Sequence, residues 1–108
     1  MKLTEKEKEN IYKKCVDVFG VDYQYLCANE EMGELIWAIS KYQRKLKNNS
    51  SANEVKKTKE NVIEEIADVL NVVETLRYLF GKEEVDKVRR EKLTRALKRC
   101  QSSDTEIK

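Results

Sequence analysis

The chain has 108 residues, 39% of them charged, yet its net charge is only +2, with three glycines and no proline. That length supports one modest core, and so few turn-forming residues disfavour a β-sandwich. The absence of histidine removes imidazole metal sites, Ser-His or Cys-His nucleophile pairs and the Glu-x-x-His motif of di-iron bundles.

Four helices are expected in chain order. The first runs from Thr4 to about Val18, with Thr4 as cap, Glu7 at the capping-box position and Gly20 as a stop. The second starts at Asp22, a good N-cap, and reaches about Lys47, with apolar residues over more than one face. The polar linker KNNSSANE follows. A third helix begins between Asn53 and Thr58 and ends at Phe80, with Gly81 as its C-cap. Its β-branched residues also suit a strand, but its length and the spacing of its acids favour helix. The fourth covers Glu83 to about Cys100, with acids at its start and bases at its end, as the helix dipole favours. The tail QSSDTEIK is expected to fray.

The fold class is therefore all-α, one domain over residues 1–108, with no internal repeat. Short helices leave Trp37, Tyr78 and Phe80 in need of cover, so a homodimer or homotetramer is expected. No run of about 18 apolar residues offers a membrane span, and MKLTEKEKEN lacks the apolar segment of a signal peptide. Cys15, Cys27 and Cys100 are widely spaced and odd in number, and read as reduced thiols in a cytoplasmic protein.

The chemistry concentrates in two carboxylate pairs, Glu31-x-x-Glu34 in NEEMGELIWAI and Glu65-x-x-Asp68 in VIEEIADVLNVV. Acids three apart share a helix face. One such pair is an ordinary feature of a solvated helix. Two pairs among apolar neighbours are not, because unpaired buried charge is costly. Glu31, Glu34, Ala38 and Lys41 fall within an arc of about 80°, and Glu65, Asp68, Val72 and Thr75 share a similar one. Antiparallel packing through these arcs gathers four carboxylates. Like charges roughly 5 Å apart repel by about 3 kcal/mol at an effective dielectric near 20, so the cluster needs a cation, a raised pKa, or both. Mg²⁺ suits all-oxygen ligands that leave room for water and phosphate. The neighbours Glu30 and Glu64 point about 100° away and read as facing solvent or paired with Lys or Arg, with a supporting base beside the cluster as the other reading.

EEMGELIWAI followed by VIEEIADVLNVVETL resembles the two-helix signature of the all-α nucleoside triphosphate pyrophosphohydrolases, the MazG-like proteins. The small residues Gly33 and Ala67 also fit. The resemblance covers Gln24 to Leu79 and, more loosely, KLTRALKR. The 30 residues between the pairs make a long spacing for the family, which the polar linker accounts for. The resemblance implies a four-helix bundle completed by homo-oligomerisation. It also implies Mg²⁺-dependent hydrolysis of a nucleoside triphosphate to the monophosphate and pyrophosphate, in the service of nucleotide-pool housekeeping. Glu31, Glu34, Glu65 and Asp68 would be the metal ligands, with Glu34 the acid left to take a proton from water.

Further candidates carry two readings each. Asn71 serves substrate contact or a core hydrogen bond. Lys41 serves phosphate or an acid partner. Lys92, Arg95 and Arg99 share a face that suits polyphosphate or water, and Trp37 suits base stacking, the core or an interface. Tyr42, Tyr78 and Cys27 read as core. A narrower hydrolase of the same fold, for dUTP, dCTP or phosphoribosyl-ATP, would share this chemistry and differ in its base pocket. The competing class is a non-catalytic helical oligomerisation or adaptor module, its acids paired with the 22 Lys/Arg. Residues 82–100 hold eight bases against four acids but no aromatic residue, so no nucleic-acid partner is expected.

Overall fold

The computed structural model describes residues 2–107, with side chains for residues 2–103. Four helices account for the fold: α1 (Glu5–Phe19), α2 (Val21–Lys47), α3 (Ala52–Phe80) and α4 (Lys82–Ile107). No strand occurs among the described residues, and none of their helices is long and apolar enough to cross a membrane. The chain divides into two compact units, Met1–Leu76 and Arg77–Lys108.

Capping chemistry explains where the helices begin. The Thr4 hydroxyl accepts the Glu7 amide at 3.1 Å, and the Glu7 carboxylate accepts the Thr4 amide at 3.0 Å. These reciprocal bonds satisfy two donors that the first turn leaves open, and they hold the Glu7 carboxyl below its ordinary range. The second helix differs from expectation. It starts at Val21 immediately after Gly20, and Asp22 lies in its first turn instead of capping it. Gly20, at φ +87, reverses the chain so sharply that no capping residue fits between the helices. At the start of α3, the Ser51 hydroxyl accepts the Glu54 amide at 3.2 Å, so the cap lies two residues ahead of the earliest expected start. The last helix continues to Ile107 instead of stopping near Cys100. QSSDTEI contains neither glycine nor proline to halt it, so the backbone of the expected frayed tail is helical, while its side chains from residue 104 and residue 108 as a whole lie outside the described residues.

Within the first unit, α2 and α3 form an antiparallel hairpin. The Lys45 ammonium meets Glu54 at 3.2 Å near the turn, and Glu31 lies beside Glu65 and Asp68 farther along. The facing positions follow a heptad. Ala28, Glu31, Leu35, Ala38, Tyr42 and Lys45 on α2 are all buried or half-buried, as are Val62, Glu65, Val69, Val72 and Leu76 on α3. α1 is tied to α2 by the Gln24 side-chain amide, which donates to the Cys15 carbonyl at 3.2 Å. Small residues allow the close approach: Ala28 and Ala38 are the fully buried apolar residues of the described chain.

The larger apolar side chains are not enclosed. Ile36 is 68% exposed, Leu70 59% and Trp37 56%. In the second unit, the Arg77 guanidinium grips Asp86 through two bonds of 2.7 and 2.6 Å across the Gly81 turn. That pairing lowers the Asp86 carboxyl below its usual range. Replacing Thr4 with Ala removes the capping box and should cost about 1 kcal/mol, read as a lower urea midpoint at unchanged slope.

Candidate functional site

Glu31 and Glu65 sit on the inward heptad lines of α2 and α3, so hairpin formation drives them together. Among the described residues, Glu31, Glu65 and Asp68 each offer a carboxylate oxygen, and these oxygens lie within 4.8 Å of one another. Glu34 contacts both Glu31 and Glu65 through its carboxyl group, but it is exposed and stands outside the mutually convergent set. Of the four expected acids, three converge and Glu34 takes the rim.

Electrostatics follow from this crowding. Partial burial, then the charges of Glu34, Asp68 and Glu65, push the Glu31 carboxyl up to about 7. Burial, followed by the charge and hydrogen bond of Glu34, raises Glu65 in the same direction. Buried oxygens on both residues, Glu31 Oε2 and Glu65 Oε2, have no hydrogen-bond partner. An acceptor withdrawn from water and left unmatched costs free energy. Two of them in one cluster, beside the Asp68 carboxylate, could hold a cation. Oxygens around one magnesium span at most about 4.2 Å, and around calcium about 5 Å, so small side-chain rotations suffice to close the set on either ion. The ligand chemistry is all oxygen, as hard divalent cations prefer.

Other candidates line up by a simple rule. Glu34, Trp37 and Lys41 each directly precede an inward residue on α2, and Asp68 and Asn71 do so on α3. Each is therefore about 100° back round its helix in the same sense. In an antiparallel pair that places all five on one side of the hairpin. A cavity of about 420 Å³ opens on the same side, one helical turn from the acids. Its walls include Ile11, Tyr12, Cys15, Cys27, Val72 and the buried Gln24 and Thr75, with exposed Asn71 at its edge. The Thr75 hydroxyl is engaged with the Asn71 carbonyl at 3.1 Å.

Sequence reasoning did not find this cavity. Gln24 is a polar residue on an inward heptad position, and that was the one available signal. The core reading of Cys27 and Tyr42 meets half-buried residues, and Cys27 faces the cavity. Trp37 is 56% exposed, and Arg44 stands 4.9 Å and Lys41 5.7 Å from its ring centre, as cation–π partners on the same helix. In the second unit, Lys92, Arg95, Lys98 and Arg99 line a basic recess along α4. Cys15, Cys27 and Cys100 are free thiols.

No protein-family model matches the chain, and neither a curated protein nor a solved structure matches it.

The raised Glu31 pKa has a definite sign. An unfolded glutamate titrates near 4.5, and the folded one near 7, so the folded state binds the proton more tightly. The stabilisation is fully present below about 4.5 and is lost as pH rises through about 7. Melting of the metal-free protein between pH 4.5 and 8 should show this decline, and Glu31→Gln should flatten it. An equally steep decline in that variant would contradict the crowding.

Proposed function

We propose that the protein is a divalent-metal-dependent nucleoside triphosphate pyrophosphohydrolase of the MazG-like kind, working as a homo-oligomer and serving nucleotide-pool housekeeping. The observation that carries this reading is the meeting of two Glu-x-x-acid motifs, from separate helices, in one cluster with two orphaned buried oxygens. An acidic cluster on a solvated surface leaves no carboxylate oxygen stranded.

In this reading Glu31, Glu65 and Asp68 hold the ion, Mg²⁺ by preference, with Glu34 completing the set from the rim. The bound ion would neutralise charge on the phosphates and lower the pKa of a water. Glu34 stands outside the mutually convergent set, so in this reading it is the acid free to accept the water's proton. Lys41 lies on the same side of the hairpin and suits a phosphate oxygen. The neighbouring cavity offers apolar walls with a few fixed polar groups, the character of a small-molecule pocket. In this reading it receives the nucleoside end, with Asn71 at its edge. In the second unit Lys92 and Arg95 are exposed cations of the kind that bind polyphosphate.

A second reading, a non-catalytic oligomerisation or adaptor module, accounts for the exposed apolar residues. It gives no role to the crowded acids.

Two measurements separate the readings. Adding Mg²⁺ at pH 8 should raise the melting temperature of the native protein, because the ion binds only the folded cluster, and it should do so far less in Glu65→Gln. With a panel of nucleoside triphosphates and Mg²⁺, native protein should release monophosphate and pyrophosphate. Glu65→Gln and Asp68→Asn should lower turnover by about a hundredfold or more while keeping their helical circular dichroism. Undiminished turnover in both variants would defeat the assignment.

A further inference from the structure

The side of the hairpin that carries the acids continues past them toward the α2–α3 turn, and there its charge changes sign. Arg44 directly precedes half-buried Lys45, just as Trp37 and Lys41 precede Ala38 and Tyr42, so all three lie on that side of α2. On α3, Lys57 precedes half-buried Thr58 in the same way. The register set by Lys45 against Glu54, and by Glu31 beside Asp68, brings Lys57 across from Lys41.

Trp37 holds two of these cations. The Arg44 guanidinium lies 4.9 Å from the ring centre and the Lys41 ammonium 5.7 Å. Trp37 is three residues beyond Glu34, a rise of about 4.5 Å along the helix. Both long side chains therefore fold back toward the acids, and their charged heads gather about one turn from Glu34. Among the described residues no carboxylate lies within ion-pair distance of either cation. A cation–π contact at an exposed ring is weaker than a charge-assisted hydrogen bond to phosphate. The ring thus aims the cations without competing for them.

We infer that Arg44, with Lys41 and Lys57, clamps the two terminal phosphates of the substrate, and that Trp37 is the positioning residue of this clamp. The inference rests on the proposed hydrolase reading for the identity of the ligand. Three zones follow one another along this side of the hairpin: the apolar cavity beside Cys27 and Asn71, the acids, and then the cations. A nucleoside triphosphate has the same order, with a flat nucleoside, an anhydride bridge and a highly charged end. Its nucleoside points toward α1 and its β- and γ-phosphates toward the α2–α3 turn. The planar Arg44 fork suits paired bonds to phosphate oxygens. With its anhydride bridge at the acids, a diphosphate presents one phosphate to the cations where a triphosphate presents two. The clamp therefore selects triphosphates.

Trp37 is the single tryptophan of the chain, so its fluorescence reports on the clamp directly. The probe is inorganic pyrophosphate with Mg²⁺, titrated into the whole chain. Native protein should give a saturable change. Arg44→Gln should weaken the affinity by about tenfold or more, and Arg44→Lys should recover part of it. Lys47→Gln removes the same charge from an exposed residue on the far side of α2, and should leave the titration unchanged. By calorimetry, Trp37→Ala should also weaken pyrophosphate binding, and Trp37→Phe, which keeps an aromatic face, should restore it. In turnover, Arg44→Gln should narrow the preference for a nucleoside triphosphate over the diphosphate. Native fluorescence that ignores pyrophosphate overturns the inference, as does undiminished affinity in Arg44→Gln or an equal loss in Lys47→Gln. If triphosphates are hydrolysed with no dependence on Arg44, the clamp falls and the hydrolase reading stands. If none is hydrolysed but pyrophosphate still binds through Arg44, the hydrolase reading falls and the clamp stands.

Discussion

Mutual repulsion among carboxylates is the constraint around which the first unit is arranged. Glu31 and Glu65 occupy positions where the heptad would ordinarily place leucine. They converge because the flanking inward residues, Ala28, Leu35 and Ala38 on α2 and Val62, Val69 and Val72 on α3, pull the helices together. Packing sets the distance and the acids must accept it. The raised proton affinity of Glu31 and the stranded oxygens are the visible cost. A fold keeps such an arrangement only where something else offsets it, and a bound cation is the simplest agent with the right sign.

The close approach also explains why the hairpin lacks a core of its own. Two alanines are its fully buried apolar residues, because a thin seam is what lets side chains as short as Asp68 reach across. Large apolar residues are displaced to flanking positions. On one side they give way to Glu34, Trp37, Lys41, Asp68 and Asn71, with α1 closing a cavity beyond the acids. On the other side they form an exposed apolar face that includes Ile36, Ile39, Ile66 and Leu70. Residues that follow an inward position are mostly apolar, although Asn29, Gln43 and Arg77 follow Ala28, Tyr42 and Leu76.

Local signals were readable wherever the responsible groups are neighbours in sequence. The capping box of Thr4 and Glu7 and the Gly81 break needed no tertiary information, since a helix end is satisfied by residues within one turn. Asp22 misled for the same reason. It is a good cap in isolation, but Gly20 turns the chain so abruptly that the helix is under way before Asp22 is reached. Ser51 was hidden in a linker of several eligible polar residues. Around Trp37 the structure sets Lys41 and Arg44 against the ring, one and two turns along the same helix, beside its stacking and interface readings.

By itself the sequence determined the helical class, the helix number, the breaks, and the four acids on which the proposed chemistry rests, because periodicity and charge spacing are properties of consecutive residues. Tertiary structure alone decided that three of those acids converge while Glu34 stands outside their set, that Gln24 and Thr75 help enclose a cavity, and that a group of exposed apolar residues on α2 and α3, Ile36 and Leu70 among them, shares one outward side. Those outcomes depend on the register and handedness of an antiparallel pair. Which residues of α3 face Glu31 is a matter of how two helices slide and roll against each other, and no local interaction records it.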